Sequence, residues 1–244
     1  MRLDVYLHEN GLCVSRTEAK TFIVGGAVSV DRKIITKPSY EICGSEAVSV
    51  DKSLKKYVSR GGTKLEAALK VFDIVPEGRL CIDVGASSGG FTDCLLQNGA
   101  AHVVAVDSGR DQIADVLRAD QRVTVIENFN ARYMSREDFP FVPSLAVMDV
   151  SFISATYIIP AISNVLSPDA DFICLIKPQF EVGRANLGKG GIVKDSRLHK
   201  EACKRVTECA EECGFSTAGL IQSPIEGGDG NVEFLAHFRR RENE

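Results

Sequence analysis

From residue 80 onward, short apolar runs alternate with segments of helical period. "LCIDV" (80–84), "HVVAVD" (102–107), "VTVIE" (123–127), "LAVMDV" (145–150) and "DFICLIK" (171–177) are nearly unbroken apolar stretches. Runs of this length, about four to eight residues, suit strands covered on both faces. Between them the pattern predicts a helix from Gly90, another near Asp111 and a long one around residues 195–213, with "FSTAGLIQ" and "NVEFLAHF" as closing strands. That alternation predicts an α/β domain, a largely parallel sheet with helices on both faces. Ligands should gather outside the carboxyl ends of its strands.

The front of the chain reads differently. In "SRTEAKTFIVGG", Ser15 and Glu18 have the spacing of a capping box, so a helix should begin at Arg16 and carry Arg16 and Lys20 on one face. "AVSVDRKIIT" alternates around Asp31-Arg32 and predicts a hairpin. A small α+β unit over 1–52 follows, then a basic linker over 53–60 and the α/β domain over 61–244. "DKSLKKYVSRGG" places Lys52, Lys55, Lys56 and Arg60 at that joint. In "TKLEAALKVF", Thr63 and Glu66 predict a second capping box, with Leu65, Ala68, Leu69 and Phe72 on the buried face. Lys64 then falls in the first helical turn, where the macrodipole disfavours a cation.

Composition narrows the class. Apolar residues at 44% and charged residues at 25% are those of a globular protein. The formal charge of −4 hides an asymmetry: residues 1–60 hold ten Lys/Arg against seven Asp/Glu, and the rest 19 against 26. Eight cysteines include no C-x-x-C pair, so no metal site is expected, and a reduced, cytoplasmic protein is. No secretory signal is visible in "MRLDVYLHENG". The uncharged stretch from Val150 to Pro168 is too rich in Ser, Thr, Asn and Pro to span a membrane.

Candidate chemistry lies at the predicted strand ends. "DVGASSGGF" (83–91) has a glycine turn without the G-x-G-x-x-G spacing of pyrophosphate sites, and Asp83 suits a ligand carrying an ammonium group. Asp107, one strand later, can accept both hydroxyls of a ribose. Together they fit S-adenosylmethionine; a dinucleotide or a purely structural turn are the alternatives. Asp149 ends the fourth strand, Lys177 the fifth, Glu233 lies in the last, and Lys64 opens the helix before the first. Two lysines and two carboxylates beside a methyl donor point to a hydroxyl nucleophile whose proton must be taken during attack. The loop "PQFEVGRANLGKGGIVKD" could close over such a site or lie open on the surface.

These motifs resemble the TlyA family, known both as hemolysins and as S-adenosylmethionine-dependent rRNA 2′-O-methyltransferases with a catalytic domain of the FtsJ type. "RLDVYL" and "SRTEAKTFIVGGAVSVD" resemble the family's S-four RNA-binding domain; "YVSRGGTKLEAAL", "DVGASSGGFTDCLL", "MDVSFIS" and "LIKPQFE" resemble its methyltransferase motifs. The resemblance implies a small α+β RNA-binding domain followed by a Rossmann-like, doubly wound methyltransferase domain. It implies a catalytic tetrad of Lys64, Asp149, Lys177 and Glu233, with Lys177 as base, Asp149 and Glu233 orienting it, and Lys64 supplying charge. For the cofactor it implies Asp83, Gly85, Ser87, Gly89, Gly90, Phe91, Asp107 and Asn130, and for RNA Arg2, Arg16, Lys20, Lys55, Lys56 and Arg60. The expected partner is ribosomal RNA or a ribosomal subunit, with cytidine the modified nucleotide. One departure is the hairpin, where Asp31-Arg32 stands in place of the more usual Asn-Gly. The competing readings are a membrane-active hemolysin, a non-catalytic assembly factor and a nicotinamide-dependent dehydrogenase.

Overall fold

Ser15 begins a helix in the computed structural model, which describes residues 1–24, 26–51, 56–227 and 230–241. The Ser15 hydroxyl accepts the Glu18 N–H at 3.1 Å, while the Glu18 carboxylate reaches one residue further back than expected, to the Val14 N–H at 2.8 Å. Lys55 lies outside the described residues.

Two compact units divide the chain, Met1–Lys56 and Tyr57–Glu244. The first holds α1 (Leu3–Glu9), which the pattern reading did not resolve, α2 (Arg16–Val24), and strands β1 (Val28–Val30), β2 (Lys33–Ile34) and β3 (Val48–Val50). The strands form an antiparallel sheet in the order β2-β1-β3, and Leu3, Leu7, Phe22, Ile23, Val28 and Ile42 build the core. At the hairpin, Asp31 and Arg32 both take positive φ, 48° and 66°. That is the pattern Asn-Gly usually supplies. Here the Asp31 carboxylate supports it by accepting the Ala47 N–H at 3.0 Å.

The second unit contains α3 (Gly61–Phe72), β4 (Leu80–Val84), α4 (Gly90–Gln97), β5 (His102–Val106), α5 (Asp115–Arg118), β6 (Val123–Ile126), β7 (Leu145–Met148), α6 (Ile159–Val165), β8 (Asp171–Ile176), α7 (Pro178–Glu181), α8 (Ser196–Glu212), β9 (Phe215–Gln222) and β10 (Phe234–Arg240). Seven strands form one sheet in the order β6-β5-β4-β7-β8-β10-β9, and β10 alone runs antiparallel to its neighbours. Alternate residues of the parallel strands feed two cores. Ile82, Val104, Ala146 and Cys174 face one side; Cys81, Val103, Val147 and Ile173 face the other. Burial on both faces explains the unbroken apolar runs. Chain order reverses between β4 and β7, which opens a crevice at their carboxyl ends.

Three expectations need correction. The helix α3 starts at Gly61 with no side-chain cap, so Thr63 and Glu66 form no capping box; Lys64 is its fourth residue. The helix near Asp111 is a single turn beginning at Asp115. Glu233 precedes β10 by one residue, although its carbonyl still accepts the Ser223 N–H at 2.8 Å. The uncharged stretch after Val150 contains α6, seven residues long, and no described helix is long and apolar enough to cross a membrane. None of the eight cysteines is in a disulfide, and no metal-holding cluster exists among the described residues.

Candidate active site

The turn from β4 into α4 is built by contact with the neighbouring strand end. Gly85 has φ 83°, and a Cβ there would lie 2.5 Å from the Asp149 carbonyl oxygen. Only glycine lets the two strand ends approach so closely. Past it, the Ser87 N–H donates to Asp107 Oδ2 at 2.7 Å and the Gly109 N–H to Oδ1 at 2.6 Å. Each carboxylate oxygen keeps a further acceptor position for a ribose hydroxyl. Gly85, Ser87, Asp107 and Asn130 line a cavity of about 550 Å³. The Asn130 side chain also caps a 3-10 turn by accepting the Arg132 N–H.

Asp83 and Gly89 lie elsewhere. Asp83 is fully buried beneath the turn, lines neither cavity, and accepts the Thr92 hydroxyl at 2.6 Å. Its other oxygen has no hydrogen-bond partner. Burial raises its pKa to about 7 against the opposing Thr92 hydrogen bond. Asp83 thus supports α4 from below. Gly89 is the N-cap of α4, with φ 92°.

A second cavity of about 250 Å³ shares Gly85, Ser87, Asp149 and Ser151 with the first. Gly90, Phe91, Arg60, Lys64 and Lys177 also stand in its wall. The tetrad resolves into two ion pairs. Lys177 Nζ lies 2.5 Å from Asp149 Oδ1 and donates to Ser151 Oγ at 2.7 Å. Lys64 Nζ donates to Glu233 Oε2, with Lys64 only 7% and Glu233 3% exposed. Strand register accounts for this arrangement: β7 and β8 pair in parallel and β8 pairs with β10 at Ile176–Phe234, which brings residues 149, 177 and 233 to one sheet end. Glu233 therefore orients Lys64 rather than Lys177. Ion pairs buried this deeply are weak evidence for stability, because desolvation offsets the attraction.

The model of the FtsJ-like methyltransferase family matches residues 57–240, and that of the S4 domain residues 1–48. The 16S/23S rRNA (cytidine-2′-O)-methyltransferase TlyA of Mycobacterium tuberculosis is 43% identical, over 98% of this chain and 89% of that protein. Hemolysin A of Brachyspira hyodysenteriae is 44% identical, over 98% and 99%. A solved structure of a Streptococcus thermophilus protein described as a hemolysin covers all of this chain and 89% of its own, with 43% identity and a TM-score of 0.79. The chain belongs to the TlyA branch of the FtsJ-like methyltransferases.

Two residues of this TlyA-family site escaped the sequence reading. Glu181, 4% exposed, accepts the Ser154 hydroxyl at 2.5 Å and the Ala155 N–H at 2.8 Å. It staples the segment that carries Asp149 and Ser151. Burial raises its pKa, against the hydrogen bonds from Ser154 and Ala155. Its signal was an acid in "LIKPQFE", four residues after Lys177. Phe152 lines the larger cavity 92% exposed, with φ 65° and its ring 5.3 Å from that of Phe180. A bulky residue in the left-handed region is rare and marks a constrained site; alternation along the chain carries no trace of it.

The expected RNA contacts divide. Asp4, fully buried, joins Arg2 and Arg16: Arg2 Nε lies 2.8 Å from Oδ1 and Arg16 Nη2 3.1 Å from Oδ2. Burial raises the Asp4 pKa, but the hydrogen bonds from Arg2 and Arg16 outweigh it and the net shift is downward. Lys20 and Lys56 are exposed. Arg60 stands in the wall of the tetrad cavity instead of on an open linker.

Proposed function

We propose that this TlyA-family protein transfers a methyl group from S-adenosylmethionine to the ribose 2′-hydroxyl of a cytidine in ribosomal RNA. The observation that carries this reading is the Lys177–Asp149 pair, in which Asp149 stands on the wall common to both cavities and Lys177 on that of the smaller. The larger cavity fits the cofactor: Asp107 offers ribose acceptors, the glycine turn leaves room at the backbone, and no phosphate-binding spacing is present. The bound cofactor supplies an electrophilic methyl group on a sulfonium.

In the smaller cavity, Lys177 acts as the general base that takes the 2′-hydroxyl proton during attack, with Asp149 and Ser151 fixing its Nζ. Lys64, held by Glu233, places positive charge beside the nucleophile or its neighbouring phosphate. Phe152 offers an exposed ring on which the base of the target nucleotide can stack once it leaves its helix. Residues 1–52, with Arg2, Arg16 and Lys20, dock RNA chiefly through phosphates, with Lys55 and Lys56 in the joint that follows, while Arg60 meets the RNA from the wall of the smaller cavity. The protein acts in the cytoplasm, on rRNA or an assembling ribosomal subunit.

The test is incubation of purified protein with radiolabelled S-adenosylmethionine and either ribosomal subunits or naked rRNA, followed by alkaline hydrolysis. Label in an alkali-resistant linkage, absent with Lys177→Ala, is expected. Cofactor binding without transfer to any rRNA would overturn the reading in favour of an assembly factor.

A further inference from the structure

Between Lys177 and the middle of α8 the chain reverses its electrostatic character. The whole sequence has a formal charge of −4, yet residues 182–205 hold seven Lys/Arg against Asp195 and Glu201. All seven are exposed. Within α8 the two signs are segregated: Arg197, Lys200, Lys204 and Arg205 fall between Ser196 and the middle of the helix, and Glu208, Glu211 and Glu212 in its last turns. The last turn carries acids where the macrodipole favours cations, while the amino end is already served by Asp195 at the N-cap. Helix stability therefore does not call for the exposed cations that follow Asp195, which leaves them open to a partner.

This basic end is fastened beside the tetrad. The Val193 N–H donates to Asn231 Oδ1 at 2.9 Å and Asn231 Nδ2 to the Gly191 carbonyl at 3.2 Å, two residues ahead of Glu233. Arg205 Nη1 donates to the Glu181 carbonyl at 3.0 Å, four residues after Lys177. The loop that could have been an open flap is thus tied down on both sides. Between α8 and the strands β9 and β10 runs a groove of about 530 Å³, lined by His199, Lys200, Lys204, Leu220, Gln222 and Phe234. The His199 and Phe234 rings meet edge-on at 5.7 Å. Phe234 pairs with Ile176, so the groove reaches the sheet end that carries Lys177.

An apolar, partly aromatic floor under a row of cations matches single-stranded RNA, with bases below and phosphates above. We infer that Lys200 and Lys204 on the wall of this groove, with Lys189 and Lys194 in the segment that leads into α8, form a second RNA-docking track, which holds the strand flanking the target nucleotide. The inference rests on the rRNA methyltransferase reading, and adds a docking surface on the catalytic unit to the one on residues 1–52.

The test is the triple variant Lys189→Gln/Lys194→Gln/Lys200→Gln, three residues without an ion pair among the described residues. Binding to deproteinised 16S and 23S rRNA is titrated across salt concentrations, alongside methyl transfer, S-adenosylmethionine affinity and thermal melting. The expected result is a KM for RNA raised about tenfold, with kcat and cofactor affinity unchanged. The slope of log Kd against log salt should shrink by about two, at about 0.7 per phosphate contact on a single strand. Melting should not fall, since the three lysines are exposed. An unchanged slope and KM overturn the inference. So does unchanged RNA affinity accompanied by lost binding to phosphatidylglycerol vesicles, which would assign the track to a lipid surface. If the wild type binds rRNA without methylating it, the reaction fails while the slope still decides the track; if it does not bind rRNA, both fail.

Discussion

Lys64 and Glu233, 169 positions apart in sequence, close an ion pair from which water is almost wholly excluded. Removing one partner leaves a buried charge uncompensated, at a cost of about 3–5 kcal/mol, whereas an apolar pair of similar volume can be neutral or stabilising. Glu233→Gln should therefore lower both stability and methyl transfer. Lys64→Met/Glu233→Leu should restore stability, read by urea denaturation, and leave transfer lost. Transfer that recovers with stability would show the pair to be structural.

Lys177→Ala should slow transfer by about 10²–10⁴, the range for loss of a general base. Cofactor affinity should hold within about twofold, because the cavity around Asp107 and Asn130 does not include Lys177. Single-turnover kinetics on saturating RNA measures the slowing directly, and near-wild-type turnover of the variant would remove Lys177 from its role.

Much of this was legible in the chain because two periodicities dominate it. Continuous apolar runs such as "FICLI" could only be strands buried on both faces, and from their ends the positions of Asp149 and Lys177 followed. Partner choice was not legible. Whether Glu233 faces Lys64 or Lys177 depends on how the chain turns before β10, which no local pattern encodes. Asp83 marks a related limit: a strand-end acid predicts a carboxylate facing the ligand, but its side chain is buried and lines neither cavity. Capping at Thr63 failed because two glycines extend the helix ahead of the spacing that suggested it.

Asp83 should leave a mark on the pH dependence of stability. Its folded pKa of about 7 lies above its ordinary value of 3.8, so between those limits the folded protein holds a proton that the unfolded chain has released. Stability contributed by this group is present below about pH 4 and declines as pH rises towards 7. Asp83→Asn should flatten that decline. Urea midpoints at pH 5 and pH 7.5 compare the two proteins, and an equal fall in both would assign the dependence to other groups.

Glu181 acts on the reaction through the segment it holds, not through the substrate. Its two hydrogen bonds fix Ser154 and Ala155, and with them the backbone from Asp149 that presents Ser151 to Lys177. Glu181→Ala leaves the Ala155 N–H without its carboxylate, costing about 1–3 kcal/mol, and frees the segment to shift. Displacements of about 1 Å at a reacting group can cost a hundredfold in rate. Transfer by Glu181→Ala should therefore fall tenfold or more in kcat, with the KM for RNA nearly unchanged, and Glu181→Gln should recover part of it, since its amide oxygen can still accept one hydrogen bond. A variant destabilised to the expected extent but with full kcat at a temperature where it is folded would make Glu181 a residue of the fold alone.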